Sequence, residues 1–119
     1  MQAKVLIIGH DSALLHTRGL LMEHEGYCLS KALGEASLTE SDSKDVAVAI
    51  LCHTLSSDEK HSAVRAVRRI SPRAMILHLR TLESGAELPE HASSTVIDGP
   101  QELISATRDL IRRWENYLK

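Results

Sequence analysis

The stretch that most constrains the fold is a short uncharged run at positions 46–52, which is followed at once by a polar segment. Seven residues, Val-Ala-Val-Ala-Ile-Leu-Cys, stand without a break, and His-Thr-Leu-Ser-Ser comes next. A run this short and rich in Val and Ile is typical of a strand buried on both faces of a sheet. Ligands of open parallel sheets usually bind at the carboxyl ends of the strands. We therefore expect the candidate site where this strand ends, at Cys52 and His53.

Similar short runs recur along the chain and alternate with helical patterns. The predicted strands are 4–9, 27–32, 46–52, 74–79 and 94–97. Asp11 or Ser12 can cap a first helix, whose apolar residues recur at helical spacing and which Gly26 can end with a left-handed cap. These apolar residues are Leu14, Leu15, Leu20, Leu21 and Met22.

Two more helices carry clear start signals. Ser56 followed by Glu59 fits a capping box, and Pro72 ends that helix. Pro100 fits the first turn of the last helix. The segment 34–43 predicts a helical turn or two, and 80–94 predicts a short or irregular helix because apolar anchors are few. The core stripes of the two clear helices are Ala63, Val64, Val67 and Ile70, then Leu103, Ala106, Leu110 and Trp114.

The alternation of strands and helices predicts an α/β domain with a parallel sheet and helices on both faces. Five strand–helix units in about 120 residues match a flavodoxin-like doubly wound sheet of five strands in the order 2-1-3-4-5. We expect one domain over residues 1–119.

The composition of the chain argues against several classes of function. The chain has 14 Lys+Arg and 16 Asp+Glu, a formal net charge of −2, and no concentrated basic stretch. We therefore expect no nucleic-acid partner. No apolar run approaches the roughly 20 residues that span a bilayer, and the amino terminus lacks a signal-peptide pattern. Two cysteines make no disulfide framework, so we expect a cytoplasmic protein with no membrane partner.

The ordered set of segments resembles the receiver domain of response regulators, the CheY-like family, over essentially the whole chain. The segments are Val-Leu-Ile-Ile at 5–8 before a polar triplet, Asp-Val-Ala-Val-Ala-Ile-Leu-Cys at 45–52, and Gly-Pro-Gln-Glu-Leu at 99–103. The resemblance implies a bacterial signalling domain of a two-component (phosphorelay) system that acts on protein partners.

The resemblance also shows where the family's phosphorylation chemistry has been lost. Receivers hold magnesium with two acidic side chains and an acceptor Asp, and that Asp becomes an acyl phosphate. In this sequence the acidic pair falls on Gly9 and His10, with Asp11 just beyond, and the acceptor falls on Cys52.

The residues that read the phosphate in receivers are a hydroxyl after the fourth strand and a Lys before the last helix. The hydroxyl position falls on Leu79 or Arg80, depending on register, or on Thr81 if the strand end slips. The Lys position falls on Gly99, although Pro100 remains. We expect a pseudo-receiver that is not phosphorylated on aspartate, needs no cofactor, and has no enzymatic activity.

The sequence leaves other functions open for the residues at the end of the third predicted strand. Cys52 can be a small buried hydrophobe or a reactive thiol. His10, Asp11, Cys52 and His53 gather at one edge and are ligand types that suit zinc, which would make a metal- or redox-responsive sensor. Neighbouring residues on a strand point to opposite faces, however, so their convergence needs help from the loops. A residual phosphotransfer protein using a histidine is a further alternative. The remaining histidines, most of which we expect to be solvated, are His16, His24, His61, His78 and His91.

The last helix suggests a contact surface. Ile104, Ile111 and Leu118 are spaced by seven and lie off the main apolar stripe of the helix. They predict either a homodimer or partner surface, or a widened core face, and the sequence leaves both open.

Overall fold

The computed structural model describes residues 3–80, 94–97 and 99–117. Along the chain they form β1 (Lys4–Gly9), α1 (Ser12–His24), β2 (Cys28–Leu33), a 3₁₀ turn (Glu35–Ser37), α2 (Glu40–Ser43), β3 (Val46–Leu51), α3 (Ser57–Ile70), β4 (Met75–Arg80), β5 (Ser94–Ile97) and α4 (Pro100–Tyr117).

The strands form one parallel sheet in the order β2-β1-β3-β4-β5. β1 lies beside both β2 and β3, and β3 pairs with β4 so that Leu51 stands opposite His78. The short β5 pairs with β4 at the edge, with Arg80 opposite Ile97. The predicted flavodoxin-like α/β class, with a parallel sheet ordered 2-1-3-4, is confirmed. The irregular helix expected between the fourth and fifth strands lies outside the described residues, as does Thr81.

Two apolar layers cover the two faces of the sheet. α1 and α4 pack on one face, where Ile50 and Cys52 of the central strand meet residues of both helices. α3 packs on the other face, where Leu51 meets the helix stripe Ala63, Val64 and Val67. Every residue of β3 is buried, so the prediction of a strand covered on both faces is confirmed.

The predicted helix boundaries are confirmed at three caps. The Asp11 carboxylate accepts hydrogen bonds from the first turn of α1, and Gly26 follows that helix with φ +90°. Ser56 and Glu59 form the reciprocal bonds of a capping box at the start of α3. Because each cap satisfies free amides or carbonyls locally, the sequence pattern alone predicts it. None of the described helices has the length and apolarity that crossing a bilayer requires.

Leu15 and Met22 of the recurring apolar residues of α1 are in the core layer and Leu21 packs against it, but Leu20 does not. Leu20 is 54% exposed, whereas Arg18 and Gly19 are buried beside Leu15 and Met22. Positions 15, 18, 19 and 22 share one side of a helix, so the stripe that packs on the sheet includes an arginine. The hydrophobic pattern of the sequence does not predict that Arg18 belongs to this stripe, because Arg18 is polar and packs beside Cys52.

The last helix favours one of the two alternatives that the sequence left open. Ile111 is buried in the core layer under α4, and Ile104 packs against the same layer. These two residues widen the core face of the helix, because the apolar stripe of α4 includes position 111. Leu118, the third residue of the predicted surface, lies outside the described residues.

Candidate functional site

The loops after β1 and β3 bring the candidate residues to the carboxyl edge of the sheet. Gly9 ends β1, and Cys52 follows β3, where its N–H donates to the Ile8 carbonyl at 2.9 Å. Leu79 and Arg80 end the neighbouring strand β4, one and two residues beyond the pair of His78 with Leu51. The parallel winding thus collects the positions that the receiver resemblance singled out.

Cys52 lies beside a buried arginine of α1. The thiol is 1% exposed and Arg18 is 4% exposed, and the Arg18 Nη1 donates to Cys52 Sγ at 3.1 Å. No Lys or Arg stands next to Cys52 in the sequence, and Arg18 was not predicted as a site residue. Arg18 lies three residues after Leu15 and four before Met22, on the buried stripe of α1, and this spacing could have identified it.

Gly9 is packed too tightly for a side chain. A Cβ at this position would stand 2.9 Å from Cys52 Cβ, 3.1 Å from Cys52 Sγ and 3.2 Å from Thr54 Oγ1. The same Thr54 hydroxyl accepts a hydrogen bond from the His10 N–H at 2.9 Å. Thr54 therefore fills the space beside the first position of the acidic pair, and a carboxylate side chain does not fit there without a shift of the loop.

His10 connects the end of β1 with the start of α3. Its Nε2 forms a short hydrogen bond and ion pair with the Glu59 carboxylate. The ring also lies against Gly34, whose φ is +84° and where an added Cβ would stand 2.9 Å from His10 Cε1. The Ser56 backbone N–H, and then the hydrogen bond with His10, hold the pKa of Glu59 below its ordinary value.

Asp11, the carboxylate that follows Gly9 and His10 in the sequence, is engaged at the start of α1. One oxygen accepts from the N–H groups of Ala13 at 3.0 Å and Leu14 at 3.1 Å. These bonds satisfy amides that the first turn of a helix leaves free. The carboxylate thus serves as a helix cap.

A buried histidine with two half-buried basic residues beside it lies on the α3 face of the same edge. His78 is 2% exposed, and its Nε2 is 2.8 Å from the Lys60 Nζ. Burial first, and then the charges of Lys60 and Arg80, lower the His78 pKa to about 4. Because the ammonium can only donate, Nε2 accepts and the proton of the neutral ring is on Nδ1. His78 Nδ1 and Arg80 Nε are both buried without a hydrogen-bond partner.

The candidate zinc ligands are engaged separately. His10 pairs with Glu59, Asp11 caps α1, and Cys52 contacts Arg18. His53 is half-buried, and its Nδ1 has no hydrogen-bond partner. Across residues 3–80, 94–97 and 99–117, no three His, Cys, Asp or Glu side chains are grouped as a metal site.

Comparison with solved structures gives the fold of the chain. A response regulator receiver domain protein from Clostridium thermocellum has a TM-score of 0.79 at 19% identity, with 98% of this chain and 99% of that chain covered. A CheY-like receiver domain protein from Methanospirillum hungatei JF-1 has a TM-score of 0.81 at 17% identity, with 98% and 99% covered. A structure described as an adenylate cyclase from Rhodopirellula baltica also scores 0.81 at 13% identity, over 99% and 93% of the two chains.

No protein-family model matches the sequence, and no curated protein sequence matches it. The chain therefore has the fold of CheY-like receiver domains, and its function has to be argued from its own site.

Proposed function

We propose that the chain is a receiver-like signal-transduction domain of a two-component (phosphorelay) response regulator, that it is not phosphorylated on aspartate, and that it acts through protein contacts. Two lines of evidence support this function. Two structural neighbours at near-complete coverage are described as receiver domains. The carboxyl edge of the sheet, in turn, is filled by side chains that do not suit magnesium-dependent phosphotransfer.

The observation that carries the proposal is the contact between Cys52 and Arg18 at the position of the acceptor Asp. Phosphotransfer to aspartate needs a carboxylate nucleophile, and carboxylate oxygens must hold the magnesium that neutralises the phosphoryl group. Here a thiol stands at the strand end, and a guanidinium lies 3.1 Å from its sulfur. A fixed positive charge at that place repels a divalent cation.

The surrounding residues support the same conclusion. A side chain at Gly9 would collide with Cys52 and Thr54, and the Asp11 carboxylate is bonded to the first turn of α1. Gly99, at the position of the family's Lys, offers no ammonium to read a phosphate. A receiver fold without this chemistry keeps its helix and loop surfaces, so we expect protein partners, no cofactor and no catalytic turnover.

Acetyl phosphate tests the proposal. The protein is incubated with acetyl phosphate and magnesium beside a phosphorylatable receiver, and both are followed by intact-mass spectrometry. We expect the added mass of a phosphoryl group on the control protein alone. An adduct on this chain that mild alkali removes would be an acyl phosphate and would refute the proposal. An adduct that survives mild alkali, is lost in acid and is absent from His10→Gln would instead support phosphotransfer to a histidine.

The second candidate function is a redox sensor based on Cys52. Its supporting observation is again the Arg18 guanidinium, because a neighbouring cation stabilises the thiolate that reacts with oxidants. Against it stands the 1% exposure of Cys52, which keeps reagents from the sulfur. The exposed Cys28 provides an internal reference thiol in the same chain.

Iodoacetamide alkylation separates these functions. Cys28→Ser leaves only Cys52, and Cys52→Ser leaves only Cys28. We expect Cys52 in the folded protein to react at least about a hundredfold more slowly than Cys28, because access requires a local opening of a few kcal/mol. A Cys52 that reacts as fast as Cys28, and that slows in Arg18→Gln, would instead establish an activated thiol.

The metal-sensing form of this alternative requires larger changes. His10 would have to leave Glu59, and Asp11 would have to leave its cap, before either could join Cys52 around zinc. Zinc titration followed by calorimetry, repeated on Cys52→Ser, measures this directly. We expect no binding at micromolar metal that depends on Cys52.

A further inference from the structure

A basic groove lies at the opposite end of the sheet from Cys52, beside the start of β4. Its volume is about 540 Å³, and it lies between the carboxyl-terminal parts of α3 and α4. Three arginines line it together with apolar side chains. The arginines are Arg68, Arg73 and Arg113, and the apolar lining includes Pro72, Met75 and Tyr117.

Among the described residues, the three guanidinium groups have no acidic partner in the groove. Arg73 Nη1 donates to the Tyr117 carbonyl at 3.1 Å. Arg68 donates from Nε and Nη2 to the Ala74 carbonyl at 3.4 Å, a long contact for a hydrogen bond. These acceptors are neutral carbonyls, and none of the residues described around the groove is an Asp or Glu. The ion pairs found in the described part of the chain join other residues.

Helix dipoles do not account for this concentration of charge. Arg68 lies in the last turn of α3, where a cation complements the dipole, but the last turn of α4 has no basic residue and Arg113 lies before it. Arg73 belongs to the connection between α3 and β4. Three arginines from two helices and a loop therefore face one concavity in a chain whose formal net charge is −2.

We propose that this groove binds an acidic segment of the protein partner, with carboxylates on the arginines and an adjacent apolar side chain on Pro72, Met75 and Tyr117. Guanidinium groups bind carboxylates with charge-assisted, often bidentate hydrogen bonds. Tyr117 is 66% exposed and offers an accessible aromatic ring beside these charges. The inference rests on the proposed function and deepens it by assigning a surface and the chemistry of the partner.

The shape of the groove favours an acidic peptide over a nucleic acid. Nucleic-acid affinity comes from a row of phosphate contacts along an extended basic surface. This groove is a single concavity with an apolar wall, which suits a polypeptide that carries carboxylate and aliphatic side chains together. The overall negative charge of the chain also opposes a long polyanion.

The test uses a short fluorescein-labelled peptide of alternating Glu and Leu, its counterpart with Gln in place of Glu, and a labelled oligonucleotide. Binding to the full chain is followed by fluorescence anisotropy at low and physiological salt. The variants are Arg73→Glu and Arg113→Glu, with Arg113→Gln as a milder change. Arg65→Glu is the matched control, because Arg65 is exposed on α3 and does not line the groove. Circular dichroism verifies that each variant is folded.

We expect the Glu peptide to bind and the Gln peptide to bind at least about tenfold more weakly, since a charged hydrogen bond contributes about 1.5 to 3 kcal/mol. Arg73→Glu and Arg113→Glu should each weaken the Glu peptide at least about tenfold, and Arg65→Glu less than about threefold. Equal binding of the two peptides, an equal loss in Arg65→Glu, or tighter binding of the oligonucleotide would overturn the inference. Failure here leaves the acetyl phosphate result unchanged, so the two proposals are tested separately.

Discussion

Two polar contacts, one buried and one part-buried, lie on opposite faces of the sheet near its carboxyl edge. On the α1 side the Arg18 guanidinium contacts Cys52, and on the α3 side the Lys60 ammonium contacts His78. A buried polar group costs free energy unless it is hydrogen-bonded, so each contact offsets part of the cost of burying its polar atoms. Neither pair contributes the carboxylate oxygens with which a receiver holds magnesium.

At the scale of single residues, we expect His78 to make the free energy of unfolding depend on pH. Its pKa is about 4 in the folded protein and 6.5 ordinarily, so the unfolded chain takes up the proton first as pH falls. The free energy of unfolding is therefore highest above about pH 6.5 and declines toward pH 4, by about 3 kcal/mol for a shift of this size. His78→Gln retains an acceptor for Lys60 but does not titrate, and urea denaturation across this range should show a shallower decline.

His16→Gln is the matched control for this experiment, because His16 is exposed on α1. It should keep the pH dependence of the native protein. An unchanged slope in His78→Gln would mean that other groups, such as the Glu59 carboxylate with its lowered pKa, produce the acid sensitivity.

At the scale of elements, Ser71 joins the end of α3 to the start of the central strand. Its buried hydroxyl donates to the Ser43 carbonyl at 2.5 Å and accepts from the Val46 N–H at 3.1 Å. One side chain therefore satisfies two backbone groups just before and at the start of β3, more than 20 residues earlier in the sequence. This contact helps to hold β3 in position relative to α2 and α3.

Replacing Ser71 with Ala should lower the free energy of unfolding by about 2 to 3 kcal/mol, because two buried backbone groups lose their partner. Ser62→Ala on the same helix is the comparison, since its hydroxyl contacts only Arg65 at 3.5 Å. That change should stay within about 0.5 kcal/mol. Equal losses in the two variants, measured by urea denaturation, would show that the Ser71 hydroxyl contributes little.

The elements differ in how far the sequence predicts them. The caps at Asp11, Ser56 and Gly26 were predicted because they depend on residues a few positions apart. The burial of Arg18 within the α1 stripe was not, because Arg18 contacts Cys52, which is 34 residues away. A hydrogen bond between residues close in the sequence has a recognisable sequence pattern, whereas a polar contact between distant residues has none.

At the scale of the whole molecule, the sequence predicted the topology of the sheet but not the basic surface groove. The alternation of strands and helices predicted a parallel sheet and brought Gly9 and Cys52 to one edge. It did not predict the basic groove, because Arg68, Arg73 and Arg113 are scattered in a sequence of nearly balanced charge. Their common location follows from how α3 and α4 pack on opposite faces of the sheet.

The core assignment of Ile111 supplies a test at this scale. A residue of a dimer surface is exposed in the monomer, whereas Ile111 is 5% exposed in the isolated chain. Ile111→Ala should therefore lower the free energy of unfolding by about 3 kcal/mol, within the range for a truncated core isoleucine. Its molar mass, measured by light scattering after size-exclusion chromatography, should equal that of the native protein.

Leu20→Ala is the control for that experiment, because Leu20 is 54% exposed on α1. Its truncation should change the free energy of unfolding by no more than about 0.5 kcal/mol. A fall in molar mass in Ile111→Ala, together with unchanged stability at low concentration, would place Ile111 in an interface between copies. Loss of stability without a change in mass would show that position 111 stabilises the fold itself. Partner binding would then depend on other surfaces, among which the arginine groove has the charge to select an acidic segment.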